Sequence, residues 1–156
     1  MCPIRSVALQ EFVEATGLCY EESGLPRMAG RMAGWLMICD PPLQTASDLA
    51  SALHASPSAI SGAARILQDK GLIERIGVPG ERKTYYRIRE DAWTPTINGW
   101  LARARQVREL AEQGIRALEK EGSASIERLV ALRDFHRFLE RDVPDLLRRW
   151  HLERAR

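Results

Sequence analysis

The sequence is poor in cysteine and aromatic residues, and it has no apolar stretch long enough to span a membrane. Three cysteines, Cys2, Cys19 and Cys39, form no C-x-x-C pair and no zinc-type spacing. That pattern argues against a disulfide framework and fits a reducing compartment. The longest nearly uncharged stretch, around Met32 to Cys39, falls far short of the ~20 residues a bilayer-spanning helix needs. No basic start followed by an apolar run marks a secretory signal, so a cytoplasmic protein is expected. Glycine-rich phosphate loops, H-E-x-x-H and G-x-S-x-G are all missing. His54, His136 and His151 are too scattered for a metal cluster, and His136 with Glu140 one helical turn later reads as a surface or seam pair. Neither catalysis nor a metal or other cofactor is expected.

What is present is an ordinary globular composition. The 156 residues are 45% hydrophobic and 28% charged, enough for one domain with a core that needs no covalent staple. The net charge of +2 hides a strong partition. Residues 1–55 carry three basic and six acidic side chains, residues 56–89 seven basic and three acidic, and residues 90–156 thirteen basic and twelve acidic. A middle segment of net +4 suggests one local surface for a polyanion.

Periodicity and breakers give the order of elements. A first helix is expected from about Ser6 to Glu22, with Val7, Phe12, Val13, Leu18 and Cys19 facing inward. Ser23-Gly24-Leu25-Pro26 breaks it, and a second helix opens near Arg27 with Met28, Met32, Trp35, Leu36 and Cys39. Asp40-Pro41-Pro42 ends that helix. Thr45-Ala-Ser-Asp48 matches a capping box ahead of Leu49 and Leu53. Ser56-Pro57 starts the next helix, whose apolar face is Ile60, Ala63, Ala64 and Leu67, and Lys70-Gly71 stops it. From Leu72 to Val78, and again from Arg82 to Ile88, the pattern becomes strand, around a tight turn at Pro79-Gly80-Glu81. This hairpin is the one strand signal in the chain. A long helix follows with a seam of Ile97, Trp100, Ala104, Val107, Ala111, Gly114 and Leu118. A turn near Gly122, between Glu119 and Ser125, leads to a last helix carrying Ile126, Leu129, Val130, Leu132, Phe135, Phe138 and Leu139. Pro144 is expected to interrupt it before Leu146, Leu147 and Trp150. The fold class is therefore mainly α with one two-stranded β-wing.

Residues 44–88 carry the functional signal. Two short helices separated by His54-Ala55-Ser56 and followed by a basic hairpin suit a helix-turn-helix, in which the second helix enters the major groove. With the apolar face inward, helical geometry turns Ser58, Ser61, Gly62, Arg65 and Asp69 outward. Serine hydroxyls and Arg65 suit base edges or phosphates, and the free N–H groups after Ser56 suit a phosphate. Arg75 before the hairpin turn, and Arg82, Lys83, Tyr85 and Arg87 after it, form a second arm for backbone or minor-groove contact. Glu81 opposes a phosphate there, which favours Arg82 and Lys83 over the tip itself.

The run from Thr45 through Ser56-Pro-Ser-Ala-Ile-Ser-Gly-Ala-Ala-Arg65 to Leu72-Ile-Glu-Arg75 resembles the winged-helix core of MarR-type transcriptional regulators. The tip Gly80-Glu-Arg-Lys-Thr-Tyr-Tyr86 is more similar to the GbsR-like subgroup and departs from the commoner Asp-Arg-Arg wing. The resemblance is close over residues 26–90 and architectural in the flanks. It implies a homodimer on a pseudo-palindromic operator, with Ser56, Ser58, Ser61 and Arg65 on the recognition helix and Arg82 and Lys83 on the wing. It also implies a domain plan of an N-terminal dimerisation helix (1–25), a DNA-binding domain (26–90) and a C-terminal dimerisation region (91–156).

Three further expectations follow. The apolar terminal helices suit a dimer interface involving Phe12, Leu146, Leu147 and Trp150. The resemblance also implies a small hydrophobic or aromatic effector that releases the protein from DNA, held near Tyr20, Met28, Met32, Trp35, Trp93 and Trp100, although aromatics at helical spacing are more often plain core. Some relatives sense oxidants through a cysteine in the first helix, a position comparable to Cys19, although a lone helical cysteine is usually a small buried hydrophobe. The competing functional reading is a winged-helix module that binds protein, whose affinity would respond weakly to salt.

Overall fold

A computed structural model of the chain describes residues 6–122 and 126–154, so Cys2 and the end of the expected 119–125 turn lie outside the described residues. The chain divides into two compact units, Met1–Pro95 and Thr96–Arg156.

The first unit begins with α1 (Val7–Glu22) and α2 (Arg27–Ile38). α1 ends in a Schellman motif. Gly24 takes φ +81°, its N–H bonds to the Glu21 carbonyl, and the Leu25 N–H bonds to the Tyr20 carbonyl. α1 then crosses α2 with almost no side chain between the backbones. A Cβ on Gly30 would stand 2.7 Å from the Thr16 carbonyl oxygen and 2.8 Å from the Gly17 Cα. This crossing corrects the expected inward face of α1. Val13 and Gly17 are buried, whereas Val7, Phe12, Leu18 and Cys19 are exposed within the chain. Bulky residues cannot occupy a contact set by glycine, so they fall on the far side of the helix.

The short strand β1 (Gln44–Thr45) leads into α3 (Ala46–Ala52) and then α4 (Pro57–Asp69). The capping box forms in full. The Thr45 hydroxyl accepts from the Asp48 N–H at 3.1 Å, and the Asp48 carboxylate accepts from the Thr45 N–H at 3.0 Å. Hydrogen bonds from the Thr45 side chain and backbone hold the Asp48 carboxyl below the usual carboxylate range. The wing is β2 (Ile73–Gly77) and β3 (Thr84–Ile88), paired antiparallel from Ile73↔Ile88 to Gly77↔Thr84. Between them Val78-Pro79-Gly80-Glu81 closes with a bond from the Glu81 N–H to the Val78 carbonyl, and Gly80 holds φ +85° as a type II turn demands. Arg82 and Lys83 therefore lie in the loop and not in the second strand.

The sheet has three strands in the order β1-β3-β2, not two. Gln44 pairs with Tyr86 and Thr45 with Tyr85. A two-residue strand is too short to produce an alternating pattern in sequence. Gln44 is the buried polar side chain of this unit; its Nε2 donates to the Pro41 carbonyl at 2.8 Å, and its Oε1 accepts from Trp35 Nε1 at 3.4 Å. The core is continuous, with Met32, Trp35, Leu36, Leu49, Leu53, Ile60, Leu67 and Ile73 among its members.

The helix α5 (Trp93–Lys120) starts at the end of the first unit, and its larger part belongs to the second with α6 (Glu127–Arg154). The two run antiparallel. A Cβ on Gly114 would meet Leu129 Cδ1 at 2.8 Å, and Arg108 Nε donates to Glu140 at 2.8 Å. Ala104, Ala111 and Ile115 are buried, so Ile115 joins the expected seam, whereas Trp100 is exposed. Pro144 does not interrupt α6, which is continuous over 28 residues. A proline there removes one backbone bond, and the turns on either side keep theirs. The expected His136–Glu140 pair is absent as well. Glu140 is taken by Arg108 and Arg105, and a His136 ring nitrogen lies 2.8 Å from the Leu132 carbonyl.

Gly30→Ala should destabilise the protein by about 1–3 kcal/mol through overpacking at the α1–α2 crossing. Chemical denaturation reads this directly; unchanged stability would contradict backbone contact at that point.

Candidate nucleic-acid interface

The geometry of α4 is set at both ends and along one side. Ser56 is the N-cap, its Oγ accepting from the Ala59 N–H at 3.2 Å, and Pro57 occupies the first turn. At the far end Gly71 takes φ +70°, with its N–H on the Gln68 carbonyl and the Leu72 N–H on the Leu67 carbonyl, a second Schellman motif. Ile60, Ala63, Ala64 and Leu67 are all buried, as expected. At 100° per residue this leaves Ser58, Ser61, Arg65 and Asp69 facing solvent, and all four are exposed.

Gly62 is half-buried, and a Cβ there would meet no atom within 4 Å. Packing inside the chain therefore gives no reason for glycine at this position. Its small size keeps the outward face of α4 low, so another backbone can approach closely. Ser56 and Ser58 share a hydrogen bond at 3.0 Å between their hydroxyls. The caps thus leave a polar patch over the first turn, where unpaired backbone N–H groups favour an anion.

On the wing the basic residues divide by partner. Arg87 is tied to Glu74, its cross-strand neighbour, at 2.7 Å. Arg75 donates to the Thr84 hydroxyl at 3.4 Å. Tyr85 donates to Glu81, and this bond raises the phenol above its ordinary range. Glu81 is thereby drawn back onto the second strand. Arg82 and Lys83 are exposed, and neither they nor Arg65 form an ion pair among the described residues. Their positive charge is available to an outside anion.

The residues expected around an effector differ in exposure. Met32 and Trp35 are core, with Tyr20 and Met28 packed against that core. Trp93 and Trp100 are both exposed. Cys19 is exposed, and Cys39, half-buried, has its thiol pushed up to about 11 by burial. No group of three or more His, Cys, Asp or Glu that could hold a metal occurs among the described residues. No helix there is long and apolar enough to cross a membrane.

Comparison with known proteins places this architecture. Residues 23–83 match a model described as the MarR family, and residues 91–153 one described as MmpR5-like MarR family transcriptional regulators. The chain is 39% identical to the HTH-type transcriptional regulator MmpR5 of Mycobacterium tuberculosis over 142 residues, covering 91% of this chain and 86% of that protein. The chain belongs to the MarR family of transcriptional regulators. A crystal structure described as a transcriptional regulator is similar at 39% identity, with a TM-score of 0.80, covering 93% of this chain and 99% of that one. The MarR-family match thus extends through the flanking helices, where the sequence alone offered only helix order and length.

Sequence reading missed Glu14, Arg31 and β1. Glu14 and Arg31 pair across seventeen residues, a separation that carries no local signal. A charged side chain amid the apolar positions of α2 was the available hint.

Gly62→Ala should raise stability by up to about 1 kcal/mol, since a better helix former enters open space. A lower denaturation midpoint would mean that α4 needs glycine for its own packing.

Proposed function

We propose that this MarR-family chain is a sequence-specific DNA-binding repressor that acts as a homodimer on a pseudo-palindromic operator. The observation that carries the reading is the exposed face of α4, where Ser58, Ser61 and Arg65 stand outward over a capped, small-residue first turn. In this reading α4 lies in the major groove, with Arg65 on a guanine edge or a phosphate and the serines on neighbouring bases or phosphates. Arg75, Arg82, Lys83 and Tyr85 belong to the wing contact, with Arg82 and Lys83 supplying sequence-independent charge. The tip residues 80–86 support a GbsR-like wing.

Dimerisation is supported by apolar side chains left in solvent. α6 buries none of its side chains within the chain, and Leu110, Phe135 and Leu146 are 63%, 58% and 56% exposed. Val7, Phe12 and Leu18 on α1 are exposed too. Patches of this kind mark interaction surfaces, and obligate dimer interfaces are apolar. We assign α1 and residues 91–156 to the dimer and residues 26–90 to DNA. For a small hydrophobic effector, exposed Trp93 is the proposed contact on the first unit, with Met32 and Trp35 acting through the core they build.

The test is DNA binding by alanine variants across a salt series. Arg65→Ala should cost about 1–3 kcal/mol and relax preference at one position. Arg82→Ala and Lys83→Ala should weaken binding to every sequence and lower the salt slope by about one each. Equal affinity and slope in all three would refute the assignment, and weak salt dependence of the parent protein would favour a protein partner.

A further inference from the structure

Arg31 lies near the middle of α2 with its side chain four-fifths buried, and its guanidinium reaches two other elements. Its Nε donates to Glu14 Oε1 on α1 at 2.7 Å, and its Nη2 donates to the Leu53 carbonyl at the end of α3 at 2.9 Å. Glu14 is held from a second side by Arg27 Nη2 at 3.0 Å. Leu53 caps α3, and the chain then makes a tight turn into α4. His54 stands at φ +49°, the left-handed position that glycine takes at the ends of α1 and α4. Its N–H bonds to the Ser51 carbonyl and the Ala55 N–H to the Ala50 carbonyl, so a Schellman motif is built here around a residue with a side chain. The next residue is Ser56, the cap of α4.

The turn that aims α4 is therefore strained, short, and anchored at one carbonyl by an arginine from another helix. Beside that anchor lies a cavity of about 350 Å³, lined by Gln10, Val13, Glu14, Arg31 and Ser51–His54. The guanidinium spans this space beside the buried side chains of Val13 and Leu53. We propose that Arg31 is a positioning residue for DNA reading, coupling α1 to the turn that sets the attitude of α4. The proposal rests on α4 being the DNA-reading helix. Arginine suits the task because a planar fork bonds two acceptors at fixed angles, which the single ammonium of lysine cannot do. Glu14 orients that fork. Movement of α1 would thus reach the recognition helix through this side chain.

The test uses the full-length protein and two variants. Arg31→Lys keeps the charge, so any loss of DNA affinity cannot be electrostatic. Amide hydrogen exchange should accelerate roughly tenfold at Ala55 and Ala59, with Met32 and Ala33 in α2 unchanged. Affinity for a selected specific site should fall roughly tenfold, while affinity for random-sequence DNA stays within about twofold, since no phosphate contact is lost. Glu14→Gln should move the same readings the same way by less, and the double variant should be no worse than Arg31→Lys alone. Unchanged exchange at Ala55 and Ala59, or equal acceleration at Met32, would overturn the tether. Faster exchange with full specific affinity would overturn its role in reading. A parent protein with no specific site would refute the DNA reading itself, and the exchange data separate that failure from loss of the tether.

Discussion

The rotation of α4 about its own axis is the constraint on which the rest depends. Ile60, Ala63, Ala64 and Leu67 lock it, because turning the helix by one residue would drive Ser61 or Arg65 into an apolar core. Two of the four are alanines, which let α4 sit close to its neighbours, while Ile60 and Leu67 supply most of the buried area. Caps at both ends fix where the helix starts and stops. The outward face is then determined by position alone: a small, polar first turn and one arginine about two and a half turns from the cap. The wing carries its charge without depending on long strands, since β1 braces β3 and a type II turn shapes the tip.

The parts of this arrangement that are coded locally were legible in the sequence. Thr45-x-x-Asp48, Ser56-Pro57, Lys70-Gly71 and Pro79-Gly80 each form the cap or turn expected of them, because the chemistry of a cap involves residues within four of one another. The inward stripe of α4 was legible for the same reason. The three-stranded sheet was not, since two residues cannot display a period. Hydrophobicity does not mark the inner face of α1. At a crossing built on Gly17 and Gly30 the close approach of backbones excludes large side chains, and the bulky residues of α1 are left outside. The Glu14–Arg31–Leu53 link was beyond reach of any pattern, being formed between three elements.

The two units differ in how completely they satisfy themselves. The first has a continuous core with its buried glutamine hydrogen-bonded on both sides, as a stable small domain requires. The second is a helical pair joined by a few small buried residues and an ionic cluster around Arg108, which bonds Glu112 and Glu140. Many of its large apolar side chains, Leu110, Phe135, Phe138 and Trp150 among them, face outward. An isolated pair of amphipathic helices gains little from its own packing, so its stability is expected to come from association. Membership of the MarR family is supported along nearly the whole chain, and under the proposed function the division has a purpose: one region to read DNA and another to join copies.

Selection of bound sequences from a random duplex library by the intact protein tests the central claim most directly. The account predicts enrichment of an inverted repeat whose half-site centres lie about 10–10.5 base pairs apart, or a multiple of that, matching two α4 helices on one face of the duplex. Retention without enrichment of any sequence, or no retention at moderate salt, would contradict it.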